Sequence, residues 1–305
     1  MSLPLLPNYN SGSAMRSFME RRGLSFRKQW GQNFLINPGA RNFIVNALEA
    51  ESGSEVWEVG SGLGCMTTEL LERELKVTAF EIDPGLCSVL DELFAARANF
   101  SLVRGDVLKT WKTAKRAQYF LGNLPYTIAA MLIGNLIEGS CFFPRMIITV
   151  QKEVAERMAA APGSKEYSSI SVLCASAYTM KIIMKLKGSS FYPAPRVDSA
   201  AVRFERLPGT QPPPPLFYPL LRALFSSRRK TIANNLENFL SRSCTIKKMA
   251  GREDAAVTED ALKACGLKGR ERAENLSHDV FIELARELEK HEELRWGVKR
   301  GYRDT

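Results

Sequence analysis

The first two-thirds of the chain alternates short, nearly continuous apolar runs with stretches of helical spacing. The runs are VWEV (56–59), KVTAFEI (76–82), NFSLVRG (99–105), QYFLGN (118–123) and RMIITV (145–150). Runs of this length, rich in β-branched and aromatic residues, predict strands. Between them, 66–75 and 85–96 repeat apolar residues at the helical period. The order βαβαβ predicts an α/β fold with a parallel sheet. Two later runs, 179–187 and 199–205, are separated by a proline-bearing loop and no helix. They predict an antiparallel pair at the sheet edge, because a parallel crossover needs more chain.

Beyond LPGTQPPPP (207–215) the pattern changes: 216–240, 259–265 and 279–294 have helical spacing and no strand pattern. Four consecutive prolines exclude a helix or central strand and hold an extended connection. A boundary is therefore expected across 208–215, between an α/β domain over 25–207 and a small all-helical domain over 216–305. Residues 1–24 are expected to form a flexible leader.

Composition narrows the class. With 45% hydrophobic and 25% charged residues among 305, the chain has the balance of a soluble globular protein. No apolar run approaches the roughly 18 residues of a membrane span, and the N-terminus lacks a signal-peptide core, so the protein is expected to stay where it is made. Forty-two basic against 33 acidic side chains give a net charge of +9, which favours polyanionic partners, although a merely solvated basic surface has the same charge. Six cysteines lie tens of residues apart without a C-x-x-C pair, and there are two histidines, 278 and 291. This excludes the common zinc patterns, predicts no metal site, and suggests free thiols in a reducing compartment.

Four strand ends carry candidate chemistry. VWEVGSGLGCMT places Gly60, Gly62 and Gly64 at a strand-to-helix turn, where glycine tolerates positive φ and close approach of a ligand. The dinucleotide fingerprint needs glycine or alanine where Cys65 stands, so nicotinamide cofactors are disfavoured. Glu81 ends the second strand, where a carboxylate can accept from both hydroxyls of an adenosine ribose; a turn glutamate before Pro84 is the plain alternative. Asp106 ends the third strand and can accept from an adenine amine or simply cap a helix. Gly122-Asn123-Leu124-Pro125-Tyr126 ends the fourth. There the Asn123 side chain and the Leu124 carbonyl can accept both hydrogens of an aromatic amine, Pro125 sets the turn, and Tyr126 can stack on the base.

At these residues the chain resembles the S-adenosylmethionine-dependent ribosomal RNA adenine N6-dimethyltransferases. The resemblance runs in order through KQWGQNFLIN, VWEVGSGLG, AFEIDP, VRGDVL, LGNLPYTI, VQKEVAERMAAAPGSKEYSSISVL, FYPAPRVDSAAVRFE, FSSRRKTIANNL and RAENLSHDVFIELAREL. FSSRRKTIANNL and RAENLS look like the bacterial small-subunit branch rather than the erythromycin-resistance methylases. The resemblance implies a class I methyltransferase fold, a Rossmann-like, mostly parallel seven-stranded sheet with an antiparallel edge hairpin. It implies methylation of N6 of two adjacent adenines in a hairpin loop near the 3′ end of small-subunit RNA, and a monomer in the cytoplasm with no membrane partner. A non-catalytic assembly factor with this fold, or an adenine methyltransferase acting on another nucleic acid, is the alternative.

By position, the resemblance implies cofactor contacts from Asn33, Leu35, Gly60, Gly62, Glu81, Ile82, Asp106 and Asn123. It implies that Asn123, Leu124, Tyr126 and Phe191 hold the target base; a core aromatic is the plain reading of Phe191. Arg222, Arg228, Arg229 and Lys230, on or near the first helix after the prolines, can meet RNA phosphates or form a solvated face. The sequence departs from the family where Ser61 replaces a proline, Asn37 an aspartate, and Thr127 an asparagine. Asn37 leaves the anchoring of the N-terminal segment open.

Overall fold

The computed structural model describes residues 6–27, 30–243 and 252–291; the side chains of 126, 127, 242, 243 and 252–254 also lie outside the description. It divides into two compact units. The first comprises residues 1–136, 141–156 and 179–207, the second 137–140, 157–178 and 208–305. The division departs from a single cut at the prolines. Residues 157–178 belong with the helical unit, since the Tyr167 hydroxyl donates to the Leu276 carbonyl at 2.8 Å and Tyr167 and Val172 join its core.

The first unit is built on a seven-stranded sheet. Its strands are β2 (Glu55–Val59), β3 (Lys76–Glu81), β4 (Phe100–Arg104), β5 (Tyr119–Asn123), β6 (Arg145–Gln151), β7 (Tyr178–Leu186) and β9 (Ser199–Arg206), in the order β4-β3-β2-β5-β6-β9-β7. β4 through β6 are parallel, and β9 runs antiparallel to β6 with Arg145 opposite Glu205. The expected edge hairpin is present, with β9 on the inner side and β7 at the edge. Trp57 on β2 anchors one face, with ring centroids 5.0 Å from Phe80 and 5.3 Å from Phe143 in edge-on geometry.

Helices enter at caps visible in the sequence. Asn37 accepts from the Ala40 amide at 2.9 Å and Pro38 opens α2 (Pro38–Asn46); Asn caps as well as Asp, so the substitution leaves this anchor intact. Asp83 and Pro84 do the same for α4 (Pro84–Phe94), and Gly64, with left-handed backbone, precedes α3 (Cys65–Glu72).

Residues 6–24 are not a flexible leader. Ser11 caps α1 (Gly12–Glu20), which buries Met15, Phe18 and Met19 in the core of the first unit. A second small sheet also escaped the sequence pattern: β1 (Phe34–Leu35) pairs antiparallel with β8 (Phe191–Tyr192), Leu35 opposite Phe191.

In the second unit α8 (Ser169–Ala175), α9 (Phe217–Phe225), α10 (Ile232–Ser243), α11 (Arg252–Ala264) and α12 (His278–Leu288) surround an apolar core in which Phe225 stacks on Phe281. The single helical run expected over 216–240 is broken between α9 and α10, where Asn235 donates to the Leu224 and Ser227 carbonyls. Among the described residues no helix is long and apolar enough to cross a membrane, and Cys65, Cys87, Cys141, Cys174 and Cys265 are free; Cys244 lies outside them.

Candidate active site

The sheet order reverses at β2, with β3 on one side and β5 on the other, and ligands of open α/β sheets bind beyond the carboxyl ends of strands at such a point. A cavity of about 460 Å³ lies there, within the first unit. Of the residues expected to hold a cofactor, Asn33, Gly60, Gly62, Glu81, Ile82, Asp106 and Asn123 line it. Leu35 does not: it is buried in the core, and its carbonyl is taken by the Arg41 guanidinium at 3.0 Å.

The three glycines all have positive φ, at 77°, 58° and 84° for Gly60, Gly62 and Gly64. A side chain at 62 meets protein before any ligand, since a Cβ there would stand 2.4 Å from the Phe34 ring. Phe34 thus folds the N-terminal motif across the turn. Glu81 is held by the same turn: one oxygen accepts from the Gly62 amide at 2.8 Å, the other from the Ile82 and Asp83 amides at 2.9 Å each. Burial raises its pKa, and these three N–H groups oppose the shift. An ionised carboxylate has about four acceptor positions, so three are occupied and one remains. The cradle fits an adenosine ribose through one hydroxyl, where the sequence suggested two.

Asp106 caps the short helix α5 (Val107–Thr110), one oxygen accepting from the Leu108 amide at 3.0 Å, and it also lines the cavity. Asn123, the last residue of β5, donates from Nδ2 to the Asn33 carbonyl at 2.8 Å. A carbonyl only accepts, so this bond fixes the amide with Oδ1 as the acceptor end. The Leu124 amide continues the ladder by donating to Thr149 at 3.0 Å, and Leu124 also lines the cavity.

Phe191 is 3% exposed and part of the core, and it also lines the cavity. The Tyr126 side chain lies outside the described residues. Sequence reasoning passed over Gln32, whose Nε2 donates to Asp83 at 2.9 Å while its Oε1 accepts from the Arg27 amide at 2.8 Å. It latches the N-terminal motif to the acidic turn behind Glu81; its place beside Asn33 was the available signal.

Arg222, Arg228, Arg229 and Lys230 are exposed in the second unit. Arg228 is engaged, with a 2.9 Å ion pair to Glu274 and a hydrogen bond to the Lys165 carbonyl.

Solved structures share this architecture. A dimethyladenosine transferase from Plasmodium falciparum superposes with a TM-score of 0.69 at 28% identity, over 83% of this chain and 96% of that one. The 23S rRNA methyltransferase ErmE superposes at 0.58 and 23% identity, over 84% of this chain and all of its own. The fold is that of a class I S-adenosylmethionine-dependent methyltransferase. The sequence pattern of the ribosomal RNA adenine dimethylases matches residues 23–262, and the chain belongs to that family. It is similar to proteins named ribosomal RNA small subunit methyltransferase A: 41% identical to that of Treponema denticola over 92% of this chain and 95% of the relative. For Bacillus pumilus the figures are 34%, 90% and 95%.

Proposed function

We propose that this chain transfers methyl groups from S-adenosylmethionine to N6 of two adjacent adenines in a 3′-terminal hairpin loop of small-subunit ribosomal RNA, giving N6,N6-dimethyladenosine in the cytoplasm. The similarity to small-subunit methyltransferases along most of the chain supports the substrate class. The observation that carries the chemistry is the Asn123 amide, fixed by the Asn33 carbonyl with its oxygen as the acceptor end.

Glu81, Asp106 and Asn33 would hold the cofactor, with the exposed side chain of Ile82 against its adenine. When bound, S-adenosylmethionine supplies an electrophilic methyl on a sulfonium centre. The adenine N6 lone pair is delocalised into the ring and a stacked base is out of reach, so the protein must take the base out of its stack and orient it. Asn123 Oδ1 and the Leu124 carbonyl accept the two amine protons in the first transfer, and one of them accepts the single proton left in the second, localising the lone pair on nitrogen each time. Phe191, in the cavity wall, packs against the ring. The described cavity wall contains no histidine, and the amine proton passes to water after transfer.

The test is transfer of labelled methyl to small ribosomal subunits lacking this modification, with free RNA and duplex DNA in parallel. Dimethyladenosine from ribosomal RNA is the expected product; label in DNA alone sinks the assignment. Binding should also respond to salt through the second unit. Arg229→Ala is expected to lower the salt slope of RNA binding by about one unit, as for one lost phosphate contact. Arg228→Ala should lower it by less than half as much, because Glu274 already neutralises that guanidinium. Equal slopes for both variants and wild type would assign this face to solvent.

A further inference from the structure

Residues 9–16 precede the region matched by the family, which begins at 23, and the mechanism above does not use them. They nevertheless touch both halves of the site. The Tyr9 hydroxyl is buried and donates to the Leu63 carbonyl at 2.9 Å. Leu63 belongs to the glycine turn, and its neighbour Gly62 donates to Glu81 at 2.8 Å. The buried Arg41 guanidinium fixes this end of the segment, donating to the Tyr9 carbonyl at 3.4 Å and to the Asn10 side chain.

Three residues on, Gly12 lies against the Tyr192 ring so closely that a Cβ would stand 2.4 Å from it. One helical turn later Arg16 donates from Nε to the Tyr192 hydroxyl at 2.6 Å, with its guanidinium 5.7 Å from the ring centre. Tyr192 follows Phe191 in β8, and the two pair with Phe34 and Leu35 of β1.

We infer that residues 9–16 are a tether that sets the cofactor turn and the base-facing strand at a fixed spacing, with Tyr9 and Arg16 as positioning residues. The inference rests on the proposed function for the roles of the turn and of Phe191. Its logic is local. A buried carbonyl that loses its donor relaxes until it finds another, and Leu63 can relax only by moving the turn that orients Gly62 and Glu81. A Tyr192 ring released from Arg16, or displaced from Gly12, carries the neighbouring Phe191 with it. The two ends therefore act on different substrates.

That separation distinguishes a tether from packing, to which Met15, Phe18 and Met19 on the same helix already contribute. Tyr9→Phe is expected to raise the Kd for S-adenosylmethionine, read by calorimetry without RNA, about five- to tenfold, with the KM for RNA unchanged. Arg16→Met and Gly12→Ala are expected to lower kcat about tenfold with cofactor Kd within about twofold, and Arg16→Lys to recover part of the loss. Gly12→Ala must push the Tyr192 ring aside and is expected to lower Tm as well, so Arg16→Met, which changes an exposed side chain and removes no packing, carries the test of activity lost without Tm. Cofactor affinity unchanged in Tyr9→Phe, or variants that lower affinity, turnover and Tm together, would overturn the tether. Wild-type protein that binds the cofactor but methylates no RNA would instead count against the functional reading, and the Tyr9→Phe titration would still decide the cofactor half.

Discussion

Replacing Asn123 by alanine will lower kcat for methyl transfer by on the order of 10²–10³-fold, the scale of losing one preorganised polar contact made to the reacting group. RNA affinity should stay within about threefold, because phosphate contacts elsewhere supply most of it. The reason lies in what the side chain does on each side. Its Nδ2 donates to the Asn33 carbonyl at 2.8 Å, so the N-terminal motif holds the amide while β5 holds its backbone. The oxygen is therefore oriented before any base arrives, and no binding energy is spent turning it. Asn123→Asp tests the same point from the other direction. It keeps an acceptor but places a carboxylate oxygen against the Asn33 carbonyl, and repulsion there should turn the group away and cost activity comparably. Stopped-flow transfer beside equilibrium RNA binding separates the effects. Equal losses in turnover and RNA affinity would reduce Asn123 to a binding contact.

The main sheet was legible because β2, β3, β5 and β6 bury most of their apolar runs, and even β4, an edge strand with no fully buried residue, keeps a β-rich run; each predicted run lies within two residues of an observed strand. The cavity end of the sheet was legible for a related reason: Gly60, Glu81, Asp106 and Asn123, which line it, each stand where a parallel strand meets its turn. What escaped has no periodicity to read. β1 and β8 are two residues each, and their pairing joins Leu35 to Phe191 across more than half the chain. Leu35 matched the family motif yet is buried in the core and does not reach the cavity, whereas Phe34 beside it and Phe191 opposite it belong to both. Residues 157–178 joined the helical unit through a contact between Tyr167 and Leu276, which no local pattern encodes. α1 was readable: Met15, Phe18 and Met19 have the i, i+3, i+4 spacing of a buried helical face, and position near the terminus outweighed it. Gly62 lines the cavity, and Phe34 adds a demand for glycine there that the sequence did not show.

Glu58 was the other residue hidden in plain sight, a carboxylate inside the apolar run VWEV. It is 2% exposed and accepts from the Thr67 hydroxyl at 2.6 Å, and burial pushes its pKa up from 4.5 to about 7, with nearby Glu81 adding to the shift. Between those two values the folded chain holds a proton that the unfolded chain has released, so stability falls as pH rises. The contribution is complete below about 4.5 and is lost as pH passes through about 7. At 1.36 kcal/mol per unit, the loss is on the order of 3 kcal/mol for the first unit. Glu58→Gln keeps the acceptor for Thr67 and cannot ionise, so the variant should be more stable than wild type by about that amount at pH 8.5 and close to it at pH 5. Urea unfolding of both proteins across this range measures the difference. Parallel pH profiles would mean that Glu58 is ionised in the fold throughout. The proposed cofactor contacts should survive the change, since Glu58 does not line the cavity and Glu81 keeps its three amide donors. A variant that gains stability at high pH while binding S-adenosylmethionine as wild type does would place Glu58 in the support of the glycine turn rather than in the chemistry.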